Sequence, residues 1–414
     1  MDVTLAALLG LIVLALLFDF TNGFHDSANA IATVVATHVL RPRVAVAWAA
    51  LFNFAALLIV GTAVANTVGQ TVKMQYFSLP VVFAALLGAV CWNYLSWWKA
   101  LPTSSSHALV GALVGAGLAR GGPDAIHGAS VQRTALFIVL SPIAGLLLGA
   151  LVMGLLRLLL RRADAQRTER GFRFAQLGSS AAVALAHGGN NAQKTMGVIA
   201  ALLVATGHLD GTGGALPIPL WVELAAYAAI ALGTVSGGWR IVRTMGTRIT
   251  QLRPMSGFAA ETATAAALFA STALGAPVST THTVAGAITG AGTATRAGTV
   301  HWSIFGRVAV AWVITMPVAA LTAALAYWGS TLPPEPYNII LMALVLIVLA
   351  GLLVLALKRA PSAEDLEDEL EQDHEVPLRA GSGSLSGTAR VPLTSTRPDP
   401  VRTEAVAQEM DGRS

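Results

Sequence analysis

Two short polar motifs occur twice in this chain, in the same order, and every copy sits inside apolar sequence. The first, Asn22-Gly23-Phe24-His25-Asp26-Ser27-Ala28-Asn29, is answered by His187-Gly188-Gly189-Asn190-Asn191-Ala192-Gln193-Lys194. The second, Pro102-Thr103-Ser104-Ser105-Ser106-His107, is answered by Pro277-Val278-Ser279-Thr280-Thr281-His282. Polar groups at membrane depth are costly and persist mainly where they line a cavity or a binding site. A duplicated pair of such interruptions is the pattern of a transporter built from two repeats, with its substrate between them.

The surrounding sequence supports a membrane setting. Of 414 residues, 55% are hydrophobic and 12% charged, about half the charged fraction of a soluble domain. Of the 22 acidic residues, twelve follow Lys358, and only Asp19, Asp26, Glu223 and Glu261 fall within predicted spans. A carboxylate in a span is a functional candidate by default. Asp19 is the weaker neighbour of Asp26, and Glu223 reads as an interfacial carboxylate. The single cysteine, Cys91, excludes an internal disulfide and reads as a packing residue.

A span needs about 20 apolar residues, and several apolar stretches are shorter. The pairs 4–22 with 28–40, and 174–188 with 190–206, meet at the first motif and read as one broken or tilted crossing each, with two helices meeting at mid-membrane as the alternative. The pairs 80–98 with 104–119, and 256–275 with 279–295, meet at the second motif and read as hairpins whose tips enter the membrane and return. With the N-terminus outside, the inner loops carry 16 Lys/Arg and the outer loops 3, the asymmetry that sets orientation. It also makes the repeats inverted.

The expected fold is therefore an all-α integral membrane protein with inverted-topology repeats, broken helices and two re-entrant helical hairpins. Residues 1–160 form the first transmembrane repeat and 161–330 the second, inverted one, joined by a basic cytoplasmic loop. A final transmembrane helix covers 331–358, and 359–414 is a charged, then Gly/Ser/Pro-rich, disordered cytoplasmic tail. The acidic run from Glu364 to Glu375 reads as a solvated face. The chain is placed in the cell (plasma) membrane, multi-pass, with the N-terminus outside and the C-terminus cytoplasmic.

These motifs resemble those of the PiT family of inorganic phosphate transporters. Gly23-Phe24-His25-Asp26-Ser27-Ala28-Asn29-Ala30 resembles the family's first signature, and Ala186 through Gly197 the second. The segments at Pro102 and Pro277 are similar to its hairpin motif. The resemblance covers about residues 1–357 and implies a secondary active transporter moving inorganic phosphate by cation-coupled symport, with H+ or Na+ as the coupling ion and alternating access. It implies no enzyme and no cofactor. By resemblance, Asp26 belongs to a site for the coupling cation or the substrate. One departure stands at Asn191, where the family pattern leads us to expect aspartate; an amide can ligate through its oxygen but cannot carry a proton.

The residue chemistry agrees. A tetrahedral oxyanion wants converging donors, and helix N-termini supply backbone N–H groups and the positive end of a macrodipole. Ser104, Ser105, Ser106, Ser279, Thr280 and Thr281 add hydroxyls; Asn29, Asn190 and Gln193 add amides; Lys194 adds a cation. Asp26, Asn191 and Glu261 are the candidates for the coupling cation. A structural Asp26–Lys194 pair across the repeats is the competing reading for Asp26. His25, His107, His187 and His282 are expected to shape the breaks or relay protons. No dense Cys/His/carboxylate cluster points to a bound metal.

Sulfate or a metal–phosphate complex would fit the same scaffold. A serine hydrolase using Ser104 or Ser106 lacks a G-x-S-x-G elbow, and buried carboxylates argue against an anion channel. No Walker motif is present for ATP. The expected partners are inorganic phosphate and membrane lipid, not nucleic acid; a homodimer is allowed, and no partner for the tail is indicated. The pairs Gly111/Gly115 and Gly286/Gly290 read as close helix packing.

Overall fold

Two helices much longer than a bilayer is thick organise the chain: α1 (Val3–Ala36), with 34 residues, and α7 (Ala165–Ala205), with 41. At helical rise they extend about 51 and 62 Å, against a hydrocarbon core of about 30 Å. The computed structural model describes residues 3–211, 213–334, 336–358 and 361–368.

The same series follows each long helix. After α1 comes a pair, α2 (Pro42–Ala55) and α3 (Ala63–Gly69), bent by 91°. Next is the hairpin of α4 (Leu79–Trp98) and α5 (Ser105–Gly121), then the long apolar α6 (Gly128–Leu159). After α7 comes α8 (Leu220–Ser236) and α9 (Trp239–Arg243), bent by 68°, the latter running into a π-helical turn at Thr244–Arg248. The hairpin of α10 (Pro254–Ala273) and α11 (Thr280–Arg296) and the long α12 (Trp302–Thr331) complete the second series, and α13 (Tyr337–Lys358) follows. This is the duplicated, hairpin-bearing all-α architecture that the motifs imply.

The breaks lie elsewhere than expected. Both copies of the first motif are continuous helix, so α1 and α7 are unbroken there. Neither copy contains proline, and side chains such as Asn29, Asn190 and Gln193 find partners inside the bundle, so no backbone bond has to open. Their glycines serve close approach instead: a Cβ on Gly23 would lie 2.2 Å from the Ile230 carbonyl oxygen, and one on Gly188 2.5 Å from that of Asn53. The chain bends in the following pairs, between Leu58 and Ala63 and at Gly237, whose φ is +66°.

The two halves close their turns identically. α4 ends on Ala100 (φ +53°) and α10 on Gly275 (φ +64°). In each, the left-handed residue and its successor donate to carbonyls of the last turn: Ala100 to Trp97 and Leu101 to Ser96, Gly275 to Thr272 and Ala276 to Ser271. This is the Schellman closure that left-handed C-cap geometry favours. Each hairpin tip then docks on the short bent segment of the other half. Thr67 of α3 donates to the Gly275 carbonyl, and Thr244 donates to the Ala100 carbonyl.

The halves also exchange packing partners. Gly111 and Gly115 of α5 lie against Met316 and Ala320 of α12, while Gly286 and Gly290 of α11 lie against Pro142 and Leu146 of α6. Small residues let the backbones touch, as the glycine spacing implies. A Cβ on Gly115 would sit 2.0 Å from the Ala320 oxygen. Gly115→Ala is therefore expected to lower stability by about 1–3 kcal/mol, the cost of overpacking. Gly154→Ala, which meets nothing within 4 Å, should leave stability unchanged. Thermal melts followed by size exclusion in detergent check the pair.

Large apolar side chains on α6, α12 and α13 face outward, among them Leu147, Leu151, Val310, Val313 and Ile347. Such a surface fits lipid and not water. The expectation of a disordered tail from 359 onward fails at its start. Residues 363–368 are helical, Ala363 and Leu366 are buried in a core cluster, and Glu364 pairs with Arg43 at 2.6 Å. Ser362 and Asp365 cap this turn, each accepting the other's backbone N–H. Two apolar residues one turn apart make this stretch adhesive, although its composition is charged. The remainder of the expected tail lies outside the described residues.

Candidate substrate site between two helix N-termini

The second motif starts α5 and α11, and both starts are capped alike. The hydroxyl oxygen of Ser104 accepts the His107 N–H at 3.2 Å, and that of Ser279 accepts the His282 N–H at 3.2 Å. Ser104 and Ser279 are thus N-caps, which satisfies their hydroxyls locally and sets them apart from the other candidates. The next two hydroxyls of each helix point at the long helices.

Their pattern is pseudo-two-fold. The first hydroxyl of each hairpin helix meets the long helix of its own half: Ser105 donates to Asp26 Oδ1, and Thr280 accepts from Asn191 Nδ2, each at 3.4 Å. The second meets the long helix of the other half: Thr281 accepts from Asn29 Nδ2 at 3.0 Å, and Ser106 accepts from Lys194 Nζ. The two helix starts touch where Ser106 donates to the Val278 carbonyl at 3.4 Å. Asp26 and Asn191 thereby occupy matching positions, as do Asn29 and Lys194. All eight side chains are at most 3% exposed.

Lys194 also donates to Asn191 Oδ1 and, at 3.4 Å, to the Val278 carbonyl. Three acceptors around Nζ match the three donors of an ammonium group. Asp26 is not paired with Lys194; its Oδ1 lies 2.7 Å from His25 Nδ1, and His25 Nε2 lies 3.0 Å from Ser96 Oγ. The eight side chains Ser105, Ser106, Thr280, Thr281, Asp26, Asn29, Asn191 and Lys194 form a ring, in which the Ser105–Asp26 and Asn191–Thr280 bonds are at the long limit of a hydrogen bond. These groups are weakly engaged with one another and can turn toward a ligand.

The other candidates are placed elsewhere. Asn190 donates to Thr272 Oγ1 at 2.9 Å and ties α7 to α10. Gln193 Oε1 accepts the Val64 N–H at 2.8 Å and its amide donates to Gly189, so it caps α3 rather than facing the ring. Ser27 does the same for the other bend, accepting the Gly238 N–H at 2.7 Å. His25 and His187 flank no break, because their helices are continuous. His187 Nδ1 lies 3.1 Å from Asn53 Oδ1, and Asn53 donates to Thr234 at 2.9 Å. His107 and His282 face each other with ring centroids 4.8 Å apart, and His282 stacks on Trp312 at 4.1 Å. Among the described residues neither ring is hydrogen-bonded to Ser106, whose partners are Lys194 and the Val278 carbonyl, so no Ser–His relay is formed there.

Glu261 forms a separate cluster. Thr33 donates to Oε1 at 2.5 Å, Gln176 Nε2 donates to Oε1 at 3.0 Å, and Ser179 donates to Oε2. Thr37 donates to Gln176 Oε1 at 2.9 Å. This polar knot joins α1, α7 and α10 one turn beyond Asn29 toward the C-terminal end of α1. Sequence reasoning missed Thr33, Gln176 and Ser179, along with Ser96, Ser27 and Asn53. For Thr33 a signal was available: Asp19, Asn22, Asp26, Asn29 and Thr33 follow the three-and-four spacing of one helix face.

A sequence model described as the phosphate transporter family matches residues 22–323. The chain belongs to that family. It is 52% identical over 335 residues to a protein of Rhizobium meliloti (strain 1021) named "Probable low-affinity inorganic phosphate transporter", covering 80% of this chain and 99% of that protein. A Bacillus subtilis (strain 168) protein of the same name is 39% identical over 332 residues, covering 79% of this chain and 98% of its own length. A solved structure titled "The sodium-dependent phosphate transporter" matches the fold with a TM-score of 0.70 at 23% identity, over 80% of this chain and all of that one. The family match begins inside α1, at residue 22, and covers α7 and both hairpins, so every member of the ring lies within it.

Proposed function

We propose that this family member is a secondary active transporter that moves inorganic phosphate by cation-coupled symport and binds it in the ring between α5 and α11. One observation carries the reading. Two opposed helix N-termini, four N-terminal hydroxyls and one buried ammonium converge from both halves on a single buried locus. Helix N-termini favour anions, and hydroxyl, amide and ammonium donors arriving from different directions suit a tetrahedral oxyanion. The names of the relatives, inorganic phosphate transporters, agree with that substrate.

In this reading Ser105, Ser106, Thr280, Thr281, Asn29 and Lys194 hold phosphate, and Asp26 with the Asn191 oxygen holds the coupling cation. A cation beside the anion lowers the cost of moving both through a low-dielectric interior. We assign Na+ rather than H+ as the coupling ion. Asn191 cannot carry a proton, and the structural neighbour is titled sodium-dependent. The repeats are taken as 1–160 and 161–330, and the Lys/Arg distribution supports an outside N-terminus. Each ring hydroxyl is bonded to one half or the other, so relative movement of the halves trades partners and changes which side reaches the ring.

Glu261 then acts as a latch that holds α10 against α1 and α7, away from the anion. Glu261→Gln replaces an acceptor facing three donors with a mixed group. It should lower the maximal uptake rate by about tenfold, in line with a broken buried network, while the phosphate KM stays within about threefold. A KM shift as large as the rate loss would place Glu261 at the substrate instead. The reading as a whole is tested in proteoliposomes containing the purified chain. Labelled phosphate should accumulate against its gradient when an inward Na+ gradient is imposed at equal pH. Accumulation driven only by a pH gradient would refute Na+ coupling.

A further inference from the structure

The polar face of α1 continues two turns beyond Asp26 toward the N-terminus, to Asp19. This carboxylate is fully buried, and no well-directed hydrogen bond reaches either of its oxygens among the described residues. The side chains of Asn22 and Thr195 approach it as loose hydrogen-bond partners. Both are about 1% exposed, and neither closes a well-directed hydrogen bond among the described residues. Tyr227 of α8 lies within electrostatic reach of Asp19, and its hydroxyl is buried without a partner. Close contact of Gly23 with Ile230, one turn along α8 from Tyr227, fixes these helices at that level.

Buried polar groups are nearly always well paired, so Asp19, Asn22 and Thr195, which meet without a well-directed bond, form an unusual concentration together with the unpaired Tyr227 hydroxyl of the adjoining α8. Their donor atoms are of one chemical kind. Two carboxylate oxygens, an amide oxygen, a hydroxyl and a phenol are hard oxygen ligands, with no sulfur or imidazole among them. The Lys194 ammonium is also within reach of Asp19. It repels any cation placed there, and a divalent one twice as strongly as a monovalent one.

We propose that Asp19, Asn22, Thr195 and Tyr227 form a second site for a small monovalent cation, Na+, two helical turns from the central ring. This rests on the transport reading of the ring and extends it: the site is a station through which the coupling ion passes between the N-terminal end of α1 and Asp26. Asp19 and Asp26 then lie seven residues apart along one face of α1, and Thr33, seven residues further, donates to Glu261 of α10.

The test is equilibrium binding of radioactive Na+ to the purified full chain in nanodiscs, without phosphate, at constant pH. The wild type should bind more Na+ per chain than Asp19→Asn. Thr195→Val, which keeps the shape and removes one ligand, should weaken that class of sites about tenfold, the lower end of what lost metal-site partners cost. Should Asp19→Asn prove unstable, Thr195→Val alone decides. Unchanged Na+ stoichiometry and affinity in both variants would overturn the proposal, as would a wild type that binds no Na+ while taking up protons at Asp19. Phosphate uptake by the same wild-type preparation is scored separately. Its absence would refute the transport reading without bearing on the Na+ count.

Discussion

Asp26→Asn should reduce phosphate uptake by about a hundredfold to a thousandfold while the protein still inserts and folds. The amide has the same shape as the carboxylate. It can still accept from Ser105 and remain near His25 Nδ1, which lies 2.7 Å from Oδ1. What it loses is charge. A cation about 4 Å from a carboxylate gains roughly 4 kcal/mol at an effective dielectric of 20, close to three decades in affinity. The matching position in the second half is already uncharged Asn191, so no carboxylate at the symmetry-related place can substitute. Uptake in proteoliposomes, normalised to the folded fraction from size exclusion, checks this. Uptake within threefold of the wild type would remove Asp26 from the cation site.

The second large effect is expected at Lys194. Lys194→Met keeps the length of the side chain and its packing in the bundle but deletes the ammonium shared among Ser106, Asn191 and the Val278 carbonyl. Truncating one member of a buried, hydrogen-bonded charge pair costs about 2–5 kcal/mol. Phosphate affinity should therefore fall at least about thirtyfold. The two variants are separable by what they change. Lys194→Met should raise the phosphate KM and leave the Na+ dependence in place; Asp26→Asn should flatten the Na+ dependence. A Lys194→Met variant with wild-type KM would assign the ammonium to holding α7 against the hairpins.

The duplicated architecture was legible because hairpin signals are local. A Pro-x-Ser/Thr-Ser/Thr-Ser/Thr-His run reads as a turn and capped helix start, and the structure places α5 and α11 there. The continuity of α1 and α7 was not legible. Polar residues, glycines and an apolar context suggest a break, but whether the backbone opens depends on partners from distant elements, such as Thr281 for Asn29 and Ser96 for His25. The same holds within the candidate site. Ser105, Ser106, Thr280 and Thr281 were identifiable as a group, whereas only the cap geometry separates them from Ser104 and Ser279. Gln193 looked like a ligand because an amide is an amide in sequence; the bend of α2 and α3, which exposes the Val64 N–H, gives it another task. The Glu261 knot depends on α1, α7 and α10 meeting, and residues as far apart as 33, 176 and 261 carry no local sign of that.

The central claim is that one phosphate-sized anion sits between the starts of α5 and α11. Arsenate, a tetrahedral analogue with a usable anomalous signal, locates that anion directly in crystals of the purified chain. The account predicts a single strong peak bounded by Ser105, Ser106, Thr280, Thr281, Asn29 and Lys194. A peak elsewhere in the bundle, with that ring unchanged and ligand-free, would contradict it.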